Sequence, residues 1–204
     1  MIITEDRVYI DFTPESRLNL INLAIEKVQA KSYLEIGCDE DFIFSKINTP
    51  IKVGVDWKKG GTVRMSSDEF FKTNTQKFDV IFIDGNHDYE FVKRDVYNSL
   101  NCLNKNGIII MHDMLPQFEI STQDRYMGTV WRSSFDLIAE PNLIFKIVKI
   151  DCGCGVILPG KQKIKQFELK GDDLNTWNDY TKHFDKLPLV SYEEIKTILN
   201  DLEW

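Results

Sequence analysis

Residues suited to chemistry gather in two short stretches of this 204-residue chain, "IDGNHDYEF" and "IIIMHDMLP". The first carries Asp84 and His87, the second His112 and Asp113, so together they hold two of the three histidines. Two carboxylates with an imidazole suit a divalent cation whose octahedron is completed by water. A second imidazole titrating near neutrality beside such an ion is a natural general base for a hydroxyl. The same residues allow a plainer arrangement, in which His87 and Asp88 cap the next helix and His112 packs beneath a loop. His183, alone in a polar stretch, reads as an exposed side chain.

These residues follow apolar runs, "VIFI" before Asp84 and "IIIM" before His112, and two further runs end alike: "SYLEIG" with Glu35 and Gly37, "IKVGVD" with Asp56. Apolar runs of this length separated by helical patterns mark a parallel sheet covered on both faces, so the fold class is α/β. Ligands of such sheets bind beyond the carboxyl ends of the strands, where strand order reverses. The four polar strand ends are therefore expected on one rim, where a carboxylate escapes the cost of a buried ion. Asp56 is placed to receive hydrogen bonds from both hydroxyls of a ribose, and Trp57 is either a stacking face for an adenine or a core tryptophan.

The remaining elements follow from periodicity and capping. Thr13 caps a helix starting at Pro14, with Leu18, Ile21, Ile25 and Val28 on one face. "DFIFSKI" is a short helix, "TVRM" a strand and "SSDEFFKT" a helix. A helix runs from Tyr89 to Leu103, with "KNG" as its stop, and residues 114–127 lack a period, as an active-site lid does. "VWRSSFDLI" resumes a helix, "IFKIVKI" and "CGVIL" form an antiparallel hairpin about "DCG" at a sheet edge, and Ser191 with Glu194 opens a last amphipathic helix. The expected organisation is an α/β domain over residues 1–160 and a helical extension, 161–204, packed on it. That tail covers the site, pairs with a second copy in a homo-oligomer, or braces the sheet.

A formal net charge of -7 argues against a nucleic-acid partner, which needs clustered Lys and Arg; the densest patch, Lys161 to Lys165, reads as a solvated hairpin exit. No apolar run approaches a membrane span, and "MIITEDRVYIDF" carries acids where a secretion signal is basic and then apolar, so a cytoplasmic protein without a membrane partner is expected. Four cysteines without a CxxC pair suggest neither a disulfide framework nor a zinc site; Cys152 and Cys154 form a redox pair or a tight hairpin turn.

Over about Tyr33 to Pro159, and most closely in "FDVIFIDGNHDYEFVKRDVYNSLNCLNKNGIIIMHDMLP", the chain resembles the class I S-adenosylmethionine-dependent methyltransferases, in particular the metal-assisted O-methyltransferases related to macrolide-sugar and rhamnosyl methyltransferases. The resemblance implies a Rossmann-like, doubly wound, mostly parallel seven-stranded sheet with an antiparallel edge hairpin. It implies S-adenosylmethionine held by Glu35, Gly37, Asp56, Trp57, Ser67, Asp68 and Asp84, with Ser67 and Asp68 facing the adenine. It further implies magnesium on Asp84, His112 and Asp113, His112 standing where some relatives have Glu, and His87 as base. The acceptor is then a hydroxyl of a sugar or other polyhydroxylated small molecule, with Arg125, Tyr126, Trp131 and Arg132 as candidate contacts.

One motif departs from the family. Relatives carry Glu-x-Gly-x-Gly-x-Gly after the first strand, whereas "EIGCDED" puts Asp39 and Asp41 where the later glycines fall. Side chains there crowd the site or demand a different turn. Either the loop is rerouted and still binds the cofactor, or the protein is a non-catalytic scaffold. A third reading takes the His and Asp set as a non-haem iron site.

Overall fold

Seven strands form one sheet in the computed structural model, which describes residues 14–162 and 169–202. They are β1 (Ser32–Ile36), β2 (Ile51–Val55), β3 (Phe78–Ile83), β4 (Leu103–Met111), β5 (Leu143–Val148), β6 (Cys154–Pro159) and β7 (Leu189–Val190), in the order β2-β1-β3-β4-β6-β5-β7. The first four pair in parallel, β6 runs antiparallel between β4 and β5, and β7 is parallel to β5. The chain leaves β1 for β2 on one side and returns to β3 on the other, so strand order reverses at β1. This is the α/β, mostly parallel, Rossmann-like sheet expected from the apolar runs, with the antiparallel hairpin near its far end.

Alternation along each strand divides the interior in two. Leu34, Ile36, Ile81, Ile83, Ile109 and Met111 face a layer containing α2 (Ser67–Thr73), α3 (Tyr89–Cys102) and α4 (Ser133–Ile138). Tyr33, Val80, Phe82, Ile108 and Ile110 face α1 (Pro14–Lys27) and α6 (Tyr192–Asp201). The C-terminal segment enters both layers: Leu174, Tyr180 and Leu187 join the first, Ile195 and Leu199 the second. Its α5 (Trp177–His183) has a capping box between Thr176 and Asp179, a signal passed over in the sequence because the surrounding residues are polar.

Local departures have identifiable causes. "TVRM" forms only one bridge, Val55 to Val63, because Gly60 and Gly61 turn the chain with φ of +70° and +67° and send Thr62 and Val63 N–H groups back to the Gly54 carbonyl. Strand β4 starts at Leu103, before the "KNG" stop, but its pairing with β3 jumps from Phe78–Leu103 to Val80–Ile108. The expected helix cap Thr13 and most of the Lys161–Lys165 patch lie outside the described residues.

Ile195 is fully buried between α1 and the sheet layer. Ile195→Ala is expected to cost about 2–4 kcal/mol in urea unfolding, with one cooperative transition because the C-terminal helix shares the core of the sheet. Two resolved transitions would instead mark residues 161–204 as a separate unit.

Candidate active site

Register brings the strand ends together. Ile36 pairs with Val55 and with Ile83, and Ile83 with Met111. The next residue on each strand, Gly37, Asp56, Asp84 and His112, therefore emerges at one rim. Backbone bonds lock the step: Gly37 N–H donates to Val55 (2.9 Å), Asp84 N–H to Ile36 (2.8 Å) and His112 N–H to Ile83 (3.0 Å). Gly37 has φ +84°, and a Cβ there would meet the Asp84 carbonyl oxygen at 2.2 Å, so only glycine fits where the tips of β1 and β3 touch.

At this rim lies a cleft of about 1070 Å³, lined among others by Gly37, Asp56, Trp57, Ser67, Asp84, His87, His112 and Asp113. His87 Nε2 lies 3.3 Å from Asp113 Oδ2 and 3.6 Å from Asp84 Oδ1. His112 Nδ1 lies 3.1 Å from Asp113 Oδ1 and 3.4 Å from Asp84 Oδ1. Asp113 takes φ +62°, a conformation aspartate tolerates better than most residues. One ligand atom each from Asp84, His87 and Asp113 falls within 4.8 Å of the others, as do those of His112, Asp113 and Cys152.

Two charged residues absent from the sequence reading complete the cluster. Arg17, from α1, places Nη1 3.0 Å from Asp84 Oδ2 and 2.9 Å from His112 Nδ1. Its Nε lies 3.0 Å from Asp151 Oδ2, and Asp151 Oδ1 lies 3.4 Å from His112 Nε2. Asp151 belongs to the β5–β6 turn, where Asp151, Cys152 and Gly153 all take positive φ. Cys152 and Cys154 are free thiols in and after this turn; burial pushes them up to about 11 and about 12, so neither is a ready thiolate.

The carboxylates set the protonation of the imidazoles. Burial disfavours imidazolium at His87, but the hydrogen bond to Asp84 and the charges of Asp113 and Asp84 prevail and raise its pKa to about 9. Burial likewise opposes charge on His112, and Asp84 and Asp113 hold its pKa well above the ordinary histidine value. Asp84 responds in kind: burial resists its charge, while His112 and Arg17 keep it below the usual carboxylate range. His87 Nδ1–H donates to the Tyr126 carbonyl, which leaves Nε2 as the nitrogen that gains or loses the proton.

In the loop after β1, Asp39 and Asp41 adopt φ of +44° and +59°. The backbone thus makes left-handed turns of the kind glycine favours, using a residue type that tolerates them. Asp56 holds the loop. Its Oδ2 accepts from Cys38 N–H (3.0 Å) and Asp39 N–H (3.1 Å), and its Oδ1 from Lys58 N–H (2.7 Å) and Lys59 N–H (2.9 Å). Partial burial opposes its charge, yet these amides keep its pKa below the usual value. Asp41 Oδ1 accepts from Gly61 N–H at 2.6 Å, and Lys59 pairs with Asp39 at 2.9 Å, so "CDED" is tied down beside the cleft rather than filling it.

The other candidates divide. Trp57 is 73% exposed on the cleft wall, which excludes the core-tryptophan alternative. Ser67 lines the cleft and bonds to Asp95 of α3, whereas Asp68 faces away to Arg94 at 3.1 Å. Asp95, buried on the wall with its pKa raised to about 6 by desolvation, was hidden in the sequence among ordinary helix residues. Glu35 is buried away from the cleft, accepts from Tyr33 Oη, and is raised to about 8 by burial. Of the lid candidates Arg125 lines the cleft; Trp131 is buried against Tyr180, and Arg132 donates to the Gly171 carbonyl (2.9 Å) over the Tyr89 ring.

A methyltransferase domain family matches residues 58–114, the segment holding Asp84, His87, His112 and Asp113. No curated protein matches the chain. Among solved structures, it is similar to the O-methyltransferase TomG from Streptomyces achromogenes, in complex with SAM (TM-score 0.55, 14% identity, 72% of this chain and 81% of that one). It is similar to the SAH-bound methyltransferase PaMTH1 of Podospora anserina (0.55, 18%, 73% and 80%) and to an O-methyltransferase from Bacillus cereus in complex with SAH (0.53, 15%, 74% and 83%). The fold is that of the S-adenosylmethionine-dependent methyltransferases. The sequence match covers Ser67, Asp84, His87, His112 and Asp113 and omits "EIGCDED".

Asp56→Ala removes the acceptor of four backbone amides and is expected to destabilise by about 2 kcal/mol, lowering Tm by about 4–8 °C in a thermal melt. Because the folded carboxyl is depressed, this difference is present above the ordinary aspartate pKa and disappears as pH falls through the folded value.

Proposed function

We propose that the protein is an S-adenosylmethionine-dependent O-methyltransferase in which Asp84 and Asp113 hold one divalent cation, magnesium, with His112 beside them and His87 as proton acceptor. The observation carrying this reading is the convergence of Asp84, His87 and Asp113 in one cleft that Gly37, Asp56, Trp57 and Ser67 also line. The carboxylates of Asp84 and Asp113, with His112 Nδ1 3.4 Å and 3.1 Å from them, fit the donor set of such an ion. The left-handed turns at Asp39 and Asp41 fit a cofactor loop without its later glycines.

The cofactor's adenosine would lie against the exposed Trp57 face, with Ser67 and Asp95 left to receive its polar edge. Asp56, occupied by four amides, shapes the loop around it. In the reaction the acceptor oxygen bonds to the methyl carbon as the sulfur–carbon bond breaks. The electron pair goes to sulfur, giving S-adenosylhomocysteine, and the hydroxyl proton goes to His87 Nε2. The Tyr126 carbonyl fixes the tautomer and aims Nε2 into the cleft. A bound cation would polarise the acceptor oxygen and offset the carboxylates that otherwise keep His87 protonated. Most of the catalysis rests on in-line positioning. A sugar-like acceptor suits a cation that takes neighbouring oxygens, and Asn86, Asp124 and Arg125 on the wall offer polar partners. Free cysteines without a disulfide fit a reducing, cytoplasmic setting.

Calorimetry with S-adenosylhomocysteine should show binding; no heat at millimolar ligand, with or without magnesium, supports the scaffold reading. His87→Ala should keep cofactor affinity and lose turnover about 100-fold or more. If it loses the metal ion instead, Nε2 is a third ligand, as its place in the donor cluster also allows; an unchanged rate removes it from catalysis. Activity should rise with pH as His87 deprotonates, and magnesium should move that limb below the value of about 9 set by the carboxylates.

A further inference from the structure

We infer that Arg17 is a built-in cation standing where a second metal ion would bridge Asp84 and Asp151, and that it limits the rim to a single divalent ion. The inference rests on the proposed ion at Asp84 and Asp113. The two oxygens of Asp84 face different partners: Oδ1 is turned to the ring nitrogens of His87 and His112, while Oδ2 meets the Arg17 guanidinium at 3.0 Å. A carboxylate shared by two cations, about 3.5–4 Å apart, is the arrangement of two-metal sites. Here the outer position is filled by a group that is always charged and planar.

That position has its own donor set. Asp84 Oδ2, Asp151 and His112 all lie within 3.0 Å of an Arg17 nitrogen, and Asp151 and His112 are almost fully buried. Take the guanidinium away and two carboxylates and an imidazole face each other in a poorly solvated pocket, a combination that draws in a cation. Charge points the same way. Once an entering ion has displaced the protons of His87 and His112, the three carboxylates of Asp84, Asp113 and Asp151 are balanced by Arg17 and one divalent ion. Arg17 is also fixed in place, because α1 buries Leu20, Ile21 and Ala24 against the sheet.

The test is a count of bound Mn2+ by the electron paramagnetic resonance signal of free ion during titration of the intact protein. Wild type should bind one per chain and Arg17→Met two. Arg17→Lys, which keeps the charge, should bind one, and Arg17→Met combined with Asp151→Asn should return to one. Near-ultraviolet circular dichroism confirms folding; should Arg17→Met not fold, the neutral Arg17→Gln takes its place. Two ions in wild type, or no gain in a folded Arg17→Met or Arg17→Gln protein, overturns the inference. No ion in wild type but one in Arg17→Met sinks the proposed ion at Asp84 and Asp113 while leaving Arg17 as the built-in cation.

Discussion

Like charges crowded at one end of a sheet must be compensated, and here that requirement joins the helices, turns and strand tips into one site. Register places Asp84, His112 and Asp113 where they cannot avoid one another. Asp151 arrives from a hairpin turn whose backbone holds three consecutive left-handed residues. A one-residue slip of β3 would turn Asp84 toward the opposite face and scatter the cluster. Arg17 supplies the fixed counter-charge, and the imidazoles of His87 and His112 hold protons that a metal ion can replace. The exchange of protons for a cation is what would turn a stable rim into a reactive one.

The loop after β1 depends on a different device. Glycine is indispensable at Gly37, where β1 meets β3, but farther along the loop its place is taken by two aspartates in left-handed conformations. Those turns are held from outside, by the Asp56 carboxylate across four amides and by Lys59 on Asp39. The acid at the end of β2 has thus become a structural clamp. In the proposed reading, Trp57, Ser67 and Asp95 are left to meet the adenosine.

The strand ends were legible in the sequence because each apolar run stops abruptly at a polar residue, and a parallel sheet aligns such stops. Arg17, Asp95 and Asp151 were not legible. Arg17 lies 67 residues from Asp84 and 95 from His112, and on its own helix it is one charged residue among several. Asp95 reads as an ordinary polar position of α3 until its burial is seen. Asp68 and Glu35 show the converse: both sit in fitting sequence contexts, but one is drawn off by Arg94 and the other points into the layer beneath the sheet with Tyr33. Likewise "TVRM" has strand-like residues, yet the paired glycines before it fold the chain back too tightly for a ladder.

Crystals soaked with S-adenosylhomocysteine and Mn2+ address the central claim most directly, through the anomalous signal of the ion. The account predicts one peak among Asp84 Oδ1, Asp113 and the His87–His112 side of the cleft, with Arg17 still on Asp84 Oδ2 and the adenosine against Trp57. A peak elsewhere, or nucleoside density outside this cleft, would contradict it.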